Sequence, residues 1–139
     1  MWVAYDHLLV VCDGSAESDD AVRSASRLAM RDHAQLTVVA VAETERPSRG
    51  CIVGTDAWNE ALRDAAHEDL ERARRVVESP ARFVVLSGQS SQAIADAASE
   101  LGCDAIVLAR FRRFLGRPLA RRLAGAVRRR TDCPVLEPE

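Results

Sequence analysis

Two hydrophobic rhythms alternate along the chain. Five short, unbroken apolar runs rich in Val, Ile and Leu occur at His7 to Cys12, Leu36 to Ala42, Arg82 to Leu86, Ala105 to Leu108 and Pro134 to Leu136. Runs without polar alternation suit strands buried on both faces. Between them the apolar residues recur at helical spacing. Ala21, Val22, Ala25, Leu28 and Ala29 make one stripe, with Ser15 or Ser18 available as its N-cap. A longer stripe of Trp58, Ala61, Leu62, Ala65, Leu70, Ala73, Val76 and Val77 begins near Thr55 and Asp56. Ser90 or Ser91 can cap a third helix with Ile94, Ala97, Ala98 and Leu101 inward, and Pro118 suits the first turn of a fourth, with Leu119, Leu123 and Val127 inward.

The order β-α-β-α-β-α-β-α-β predicts right-handed crossovers and a single doubly wound, open parallel sheet of five strands with helices on both faces. Its 139 residues are expected to form one domain, 1–139, around one core of ordinary size. The one irregular stretch is Glu43 to Gly54, long enough to face a ligand or partner, or to be a plain surface connection.

Hydrophobic residues at 47% and charged residues at 29% give a globular balance. No apolar run is long enough to span a bilayer, and the start has neither a basic region nor a small-residue cleavage site, so the expected compartment is the cytosol and no membrane partner is expected. Cys12, Cys51, Cys103 and Cys133 are too widely spaced for a zinc knuckle or a Cys-x-x-Cys pair and read as free, structural thiols; no metal site is expected. Net charge is −2, yet nine Arg and no acid lie between Arg110 and Arg130, and the other ten Arg face 21 acids. The positive charge is therefore concentrated in one segment.

In an open parallel sheet, ligands bind beyond the carboxyl ends of the strands where strand order reverses. The first strand ends in Asp13-Gly14-Ser15 and runs into a helix. Gly14 permits a tight turn, the helix start offers unpaired amides, and Asp13 sets a carboxylate at the strand tip. These residues also make an ordinary strand-to-helix turn.

His7 to Ala29, ending its strand in Asp-Gly-Ser before an Ala-rich helix, resembles the opening of the universal stress protein family. Ala34 to Val41, Gly88 to Ile94, Cys103 to Leu108 and Cys133-Pro134-Val135 are similar to that family's second strand, third-helix turn, fourth strand and last strand. The resemblance spans nearly the whole chain and implies the strand order 3-2-1-4-5 of an adenine-nucleotide alpha-hydrolase-like fold. It also implies adenine and ribose contacts at the positions of Asp13 and Val41, with Gly14 and Ser15 beside them.

Family members that bind ATP hold its phosphates with Gly-x-x-Gly, nine residues, then Gly and Ser or Thr, because backbone amides must approach phosphate oxygens without a side chain between. Here those places fall on Ala109, Arg112 and Arg122, followed by Leu123, or on Arg121 and Arg122 if counted back from Cys133. Gly116 and Gly125 do not restore the spacing, and Gly125 is expected instead to let the last helix pack closely.

ATP is therefore not expected as a cofactor, and the first functional expectation is a stress-response regulator or adaptor working through a protein partner. Arg110, Arg112, Arg113, Arg117 and Arg122 leave open an AMP-like nucleotide or phosphate-bearing ligand, since guanidinium groups bind such anions bidentately. A third possibility is polyanion or nucleic-acid binding by the Arg110 to Arg130 stripe. Only Phe111 and Phe114 accompany that stripe, so a solvated face or a contact with another copy is favoured over nucleic acid. None of His7, His33 and His67 is placed beside a nucleophile at the crevice, so no catalytic residue and no enzyme activity is expected. By resemblance the chain would form a homodimer through its last strand, kept short by Pro138.

Overall fold

The computed structural model describes residues 4–44, 55–109 and 118–138, with side chains at 55 and 118–122 excepted. Its elements are β1 (His7–Val11), α1 (Ala16–Asp32), β2 (Gln35–Ala42), α2 (Thr55–Val76), β3 (Arg82–Ser87), α3 (Ser90–Leu101), β4 (Ala105–Val107), α4 (Pro118–Arg130) and β5 (Val135–Leu136). The five strands form one sheet in the order β3-β2-β1-β4-β5, every neighbour pair parallel. Both the alternation and the implied strand order are borne out.

Because successive strand residues face opposite sides, the unbroken apolar runs feed two cores. Leu8, Val10, Cys12, Val38, Ala40 and Val107 pack toward α1 and α2. Leu9, Val39, Ile106 and Leu108 pack toward α3 and α4, against Ile94, Ala98, Ala124 and Val127. At the amino ends of the strands, Asp104 accepts hydrogen bonds from the amides of Asp6 at 2.8 Å and His7 at 2.9 Å, fixing β1 beside β4. The buried His7 ring bridges the Leu101 carbonyl (Nδ1, 3.2 Å) and the Thr37 hydroxyl (Nε2, 2.8 Å). It therefore sits at the end of the sheet opposite the strand tips.

The α1 and α3 stripes lie inward as their spacing predicts, with Leu28 and Leu101 at the core margins. In α2 the phase differs. Asn59, Ala66, Leu70 and Ala73 are buried, while Trp58 is 58% exposed and Ala61 and Ala65 face out. Leu62, Leu70, Ala73, Val76 and Val77 face the core as expected, and only in the first half of the helix, at Trp58, Ala61 and Ala65, does the inward face lie about one position from the stripe. Asn59 and Ala66 turn inward instead, with no buried polar side-chain atom left without a partner among the described residues. Ser15 caps α1, accepting from the Ser18 amide at 3.1 Å. For α3 the cap is Gln89, not Ser90 or Ser91. Its Oε1 accepts from the Gln92 amide at 3.0 Å and the Ser91 hydroxyl at 2.9 Å, while the Ser90 hydroxyl donates to Glu43. Gly125 is not demanded by close packing either: the nearest atom to a Cβ built there, among the described residues, is Arg129 Nη1 at 3.6 Å.

Candidate functional site

Strand order reverses between β1 and β4, so their carboxyl ends flank the one crevice where a doubly wound sheet places ligands. The Cys12 amide donates to Val39 O at 2.9 Å, extending the β1 ladder by one residue before the chain turns at Asp13. Asp13 Oδ1 accepts from the Ser15 amide at 2.9 Å and from its hydroxyl, and the Asp13 amide donates to Ser18 Oγ at 3.3 Å. These local bonds hold the exposed Asp13 at the strand tip and start α1 immediately behind it.

Gly14 adopts φ +81°, a conformation that favours glycine. It also lies under α2, since a Cβ at this position would sit 2.6 Å from Asp69 Oδ1. Asp69 is the residue of this region that the sequence pattern does not single out. Burial, then the charges of Asp13 and Glu68, push its carboxyl above the usual carboxylate range, with Arg72 opposing. The neighbouring backbone is tied in as well. Cys12 Sγ donates to the Asp69 carbonyl at 3.7 Å, and Arg72 pairs with Asp19 at 2.9 Å to join α2 to α1. Burial, followed by Asp69 and Asp13, raises the Cys12 thiol to about 12, which fits the inert core thiol read from the sequence.

Val41 lies near the end of β2, opposite Leu86 of β3, with its side chain packed on the α3/α4 side. Asp13, Gly14, Ser15 and Val41 are thus brought to the carboxyl ends of adjacent strands. Ala109 follows β4 and packs on the α1/α2 core. Among the described non-glycine residues only His33 has a positive φ, so Ala109 has an ordinary backbone and needs no glycine. Beside the crevice, an open groove of about 510 Å³ runs past Thr44, Ser87, Gly88, Gln89, Gln92 and Asp96 at the ends of β2 and β3.

Arg110, Arg112, Arg113 and Arg117 lie outside the described residues, as does most of the loop Glu43 to Gly54; Arg121 and Arg122 are on α4, their side chains outside the description. Of the rest of the arginine stripe, Arg128 donates to Val135 O at 3.3 Å and lies 3.6 Å from the Glu137 carboxylate. Arg130 donates to Gln92 Oε1 at 3.2 Å. Two of these cations are therefore engaged within the chain itself. No group of three or more His, Cys, Asp or Glu side chains suited to a metal occurs among the described residues. No helix among them is long and apolar enough to cross a membrane.

No protein of curated function matches the chain. Solved structures do. A universal stress protein family member from Burkholderia pseudomallei is 25% identical, with 99% of this chain and 98% of that one covered and a TM-score of 0.71. UspA from Lactobacillus plantarum is 21% identical over 99% and 100% of the two chains, with a TM-score of 0.74. A universal stress protein solved in complex with cAMP is 23% identical over 99% of each chain, with a TM-score of 0.64. Residues 4–136, nearly the entire sequence, match the Universal stress protein family, and the chain belongs to that family.

Proposed function

We propose that this universal stress protein is a stress-response regulator or adaptor that does not hold ATP through the family's glycine cradle. The observation that carries the reading is the set of residues at the three cradle positions: Ala109, Arg112 and Arg121 or Arg122. Ala109 alone is benign, since its side chain turns to the α1/α2 core. The weight falls on the arginines, because there the sequence has a long side chain where the cradle needs glycine for backbone amides to meet phosphate. No catalytic role is assigned to any residue of the crevice. Purified protein, denatured and analysed by chromatography and mass spectrometry, is expected to release no ATP; stoichiometric ATP would overturn the reading.

A second reading keeps the crevice as a site for a phosphate-poor nucleotide of the AMP type. The exposed Asp13 at the strand-order reversal favours it, as does a relative of similar length solved with cAMP. Thermal-shift titrations with AMP, cAMP, phosphate and ATP at two salt concentrations test it. A saturable rise in Tm with AMP or cAMP, absent with phosphate alone, is the supporting result. A response to short nucleic acid that vanishes at high salt would instead point to polyanion binding.

The homodimer belongs to the same proposal. Among the described residues β5 pairs only with β4, leaving one edge of Val135–Leu136 for a second copy. Light scattering after size exclusion is expected to give twice the chain mass, and a monomer at high concentration would exclude this pairing.

A further inference from the structure

Cys103 and Cys133 stand apart from the crevice, and the fold brings them together. Cys103 follows the α3 cap residue Gly102, whose φ of +67° turns the chain so that the Cys103 amide donates to Ala98 O at 2.9 Å. The next amide, that of Asp104, donates to His7 O at 2.9 Å, so the backbone carrying Cys103 is held on both sides. Cys133 precedes β5, with its amide donating to Thr131 Oγ1 at 3.1 Å. The two strands then run in register, Ile106 opposite Val135, and the Ile106 amide donates to Pro134 O.

Cys103 lies two residues before β4 and Cys133 two residues before β5, and these strands are parallel neighbours, so both cysteines enter at the same end of one strand pair. Neighbouring strands lie about 5 Å apart, a separation within the Cα span that a disulfide bridges. The side chains agree with the backbone. Both cysteines pack against the same α3/α4 core, and Cys133 Sγ donates to the Cys103 carbonyl at 3.4 Å. Both are free and only half-buried, whereas Cys12 is buried in the other core. Neither is used by the crevice at the opposite end of the strands.

We propose that Cys103 and Cys133 form an oxidisable dithiol site, closed to an intramolecular disulfide by a two-electron peroxide oxidant. In the first step one thiolate attacks a peroxide oxygen, the O–O bond breaks, and the departing hydroxide takes a proton to leave as water. The resulting sulfenic acid is then attacked at sulfur by the second thiolate, the S–O bond breaks, and hydroxide leaves with a proton as a second water. Two thiols lose two electrons and two protons in all, and hydrogen peroxide is reduced to two waters. Either cysteine can act first. Burial raises both thiols, Cys103 to about 11 with Cys133 and then Asp104 adding to it, and Cys133 with Asp104 adding, so the reaction is slow at neutral pH and accelerates with thiolate as pH rises. The bridge joins the start of β4 to the start of β5 and closes a covalent ring that contains α4.

Trypsin makes the test direct, because Phe83–Arg110 and Thr131–Glu139 each carry one cysteine. The full-length protein, dilute enough to prevent intermolecular reaction, is treated with hydrogen peroxide from pH 7 to pH 9, alkylated and digested. Expected is a cross-linked pair of these two peptides, short of two hydrogens, forming about tenfold faster per pH unit. The oxidised protein should melt several degrees higher, with the gain lost on reduction. Cys103→Ser and Cys133→Ser should each abolish the cross-link. A measurement on wild-type protein keeps the proposal testable even if those variants fold poorly. One equivalent of phenylarsine oxide, which condenses with two adjacent thiols and releases water, should block Cys103 and Cys133 together. Separate over-oxidation of the two cysteines, a cross-link to Cys12 or Cys51 instead, or an arsenical that leaves both thiols free to alkylate would overturn the proposal.

Discussion

At Gly14 the φ of +81° and the 2.6 Å approach of Asp69 Oδ1 to the place of a Cβ act together, so Gly14→Ala must accept a strained backbone and also turn the Asp69 carboxylate aside. The expected loss is about 2 kcal/mol, read as a lower Tm by differential scanning calorimetry. Adding Asp69→Ala should recover the part due to the clash and leave about 1 kcal/mol of backbone strain. Asp69 also carries a pH signature. Its carboxyl is raised in the folded state, first by burial and then by Asp13 and Glu68, so the folded protein binds more protons than the unfolded chain between the ordinary and the raised value. Stability from this group is fully present below its unfolded pKa and is lost as pH rises through the folded one. Asp69→Asn is thus expected to raise Tm at pH 7, with the gain shrinking to nothing in acid. Asp32 has the opposite sign, since the hydrogen bond from Arg31 and then that from the Tyr5 amide lower its carboxyl, and its contribution is lost as pH falls. The two are separable because Asp69→Asn leaves Asp32 untouched. Asp13, Gly14 and Ser15 can be read from the sequence as a unit because they are chain neighbours making one turn. Asp69 reaches that turn only through the packing of α2 on α1, and no local pattern marks it.

Among the elements, the strands are the most legible part of the chain, because a strand buried on both faces must be apolar at every position, as Leu8, Leu9 and Val10 are. The helix phases are less so. In α2, Trp58 and Ala61 fit an apolar stripe as well as Leu62 and Leu70 do, and only the docking against β2 and β3 decides that Asn59 turns inward and Trp58 outward. At the start of α3 the sequence offers two serines, the commoner capping residues, yet Gln89 accepts the bonds because Ser91 is already within the helix and Ser90 is drawn to Glu43. Gln89→Ala is expected to cost about 1 kcal/mol, comparable to loss of an ordinary cap. Glu43→Gln should cost less, since its contact with Ser90 is exposed. Chemical denaturation of the two variants, with an unchanged dependence on denaturant, would check both. A larger effect from Glu43→Gln would mean that the end of β2, not the cap, holds α3 in place.

On the scale of the whole molecule, one sheet separates two apolar layers, and β1, β2 and β4 contribute side chains to both. The order β3-β2-β1-β4-β5 follows from right-handed crossovers that place α1 and α2 on one face and α3 and α4 on the other, and it alone sets the tips of β1 and β4 side by side. That is why the position of the crevice can be inferred from the element pattern, while the partners of its rim, and the meeting of Cys103 with Cys133 across an interval of 30 positions, come only with the third dimension. Sharing strands also couples the layers energetically. Val38 is fully buried on the α1/α2 side and Ile106 on the α3/α4 side, each in a strand whose neighbouring residues belong to the other layer. Val38→Ala and Ile106→Ala are therefore expected to lower one and the same transition, by about 2 to 4 kcal/mol each. Far-ultraviolet circular dichroism and calorimetry should show coincident single transitions in both variants. If either substitution split the melt in two, the layers would be separate folding units, and a change in one, such as a bridge between Cys103 and Cys133, could not be felt at the turn that carries Asp13.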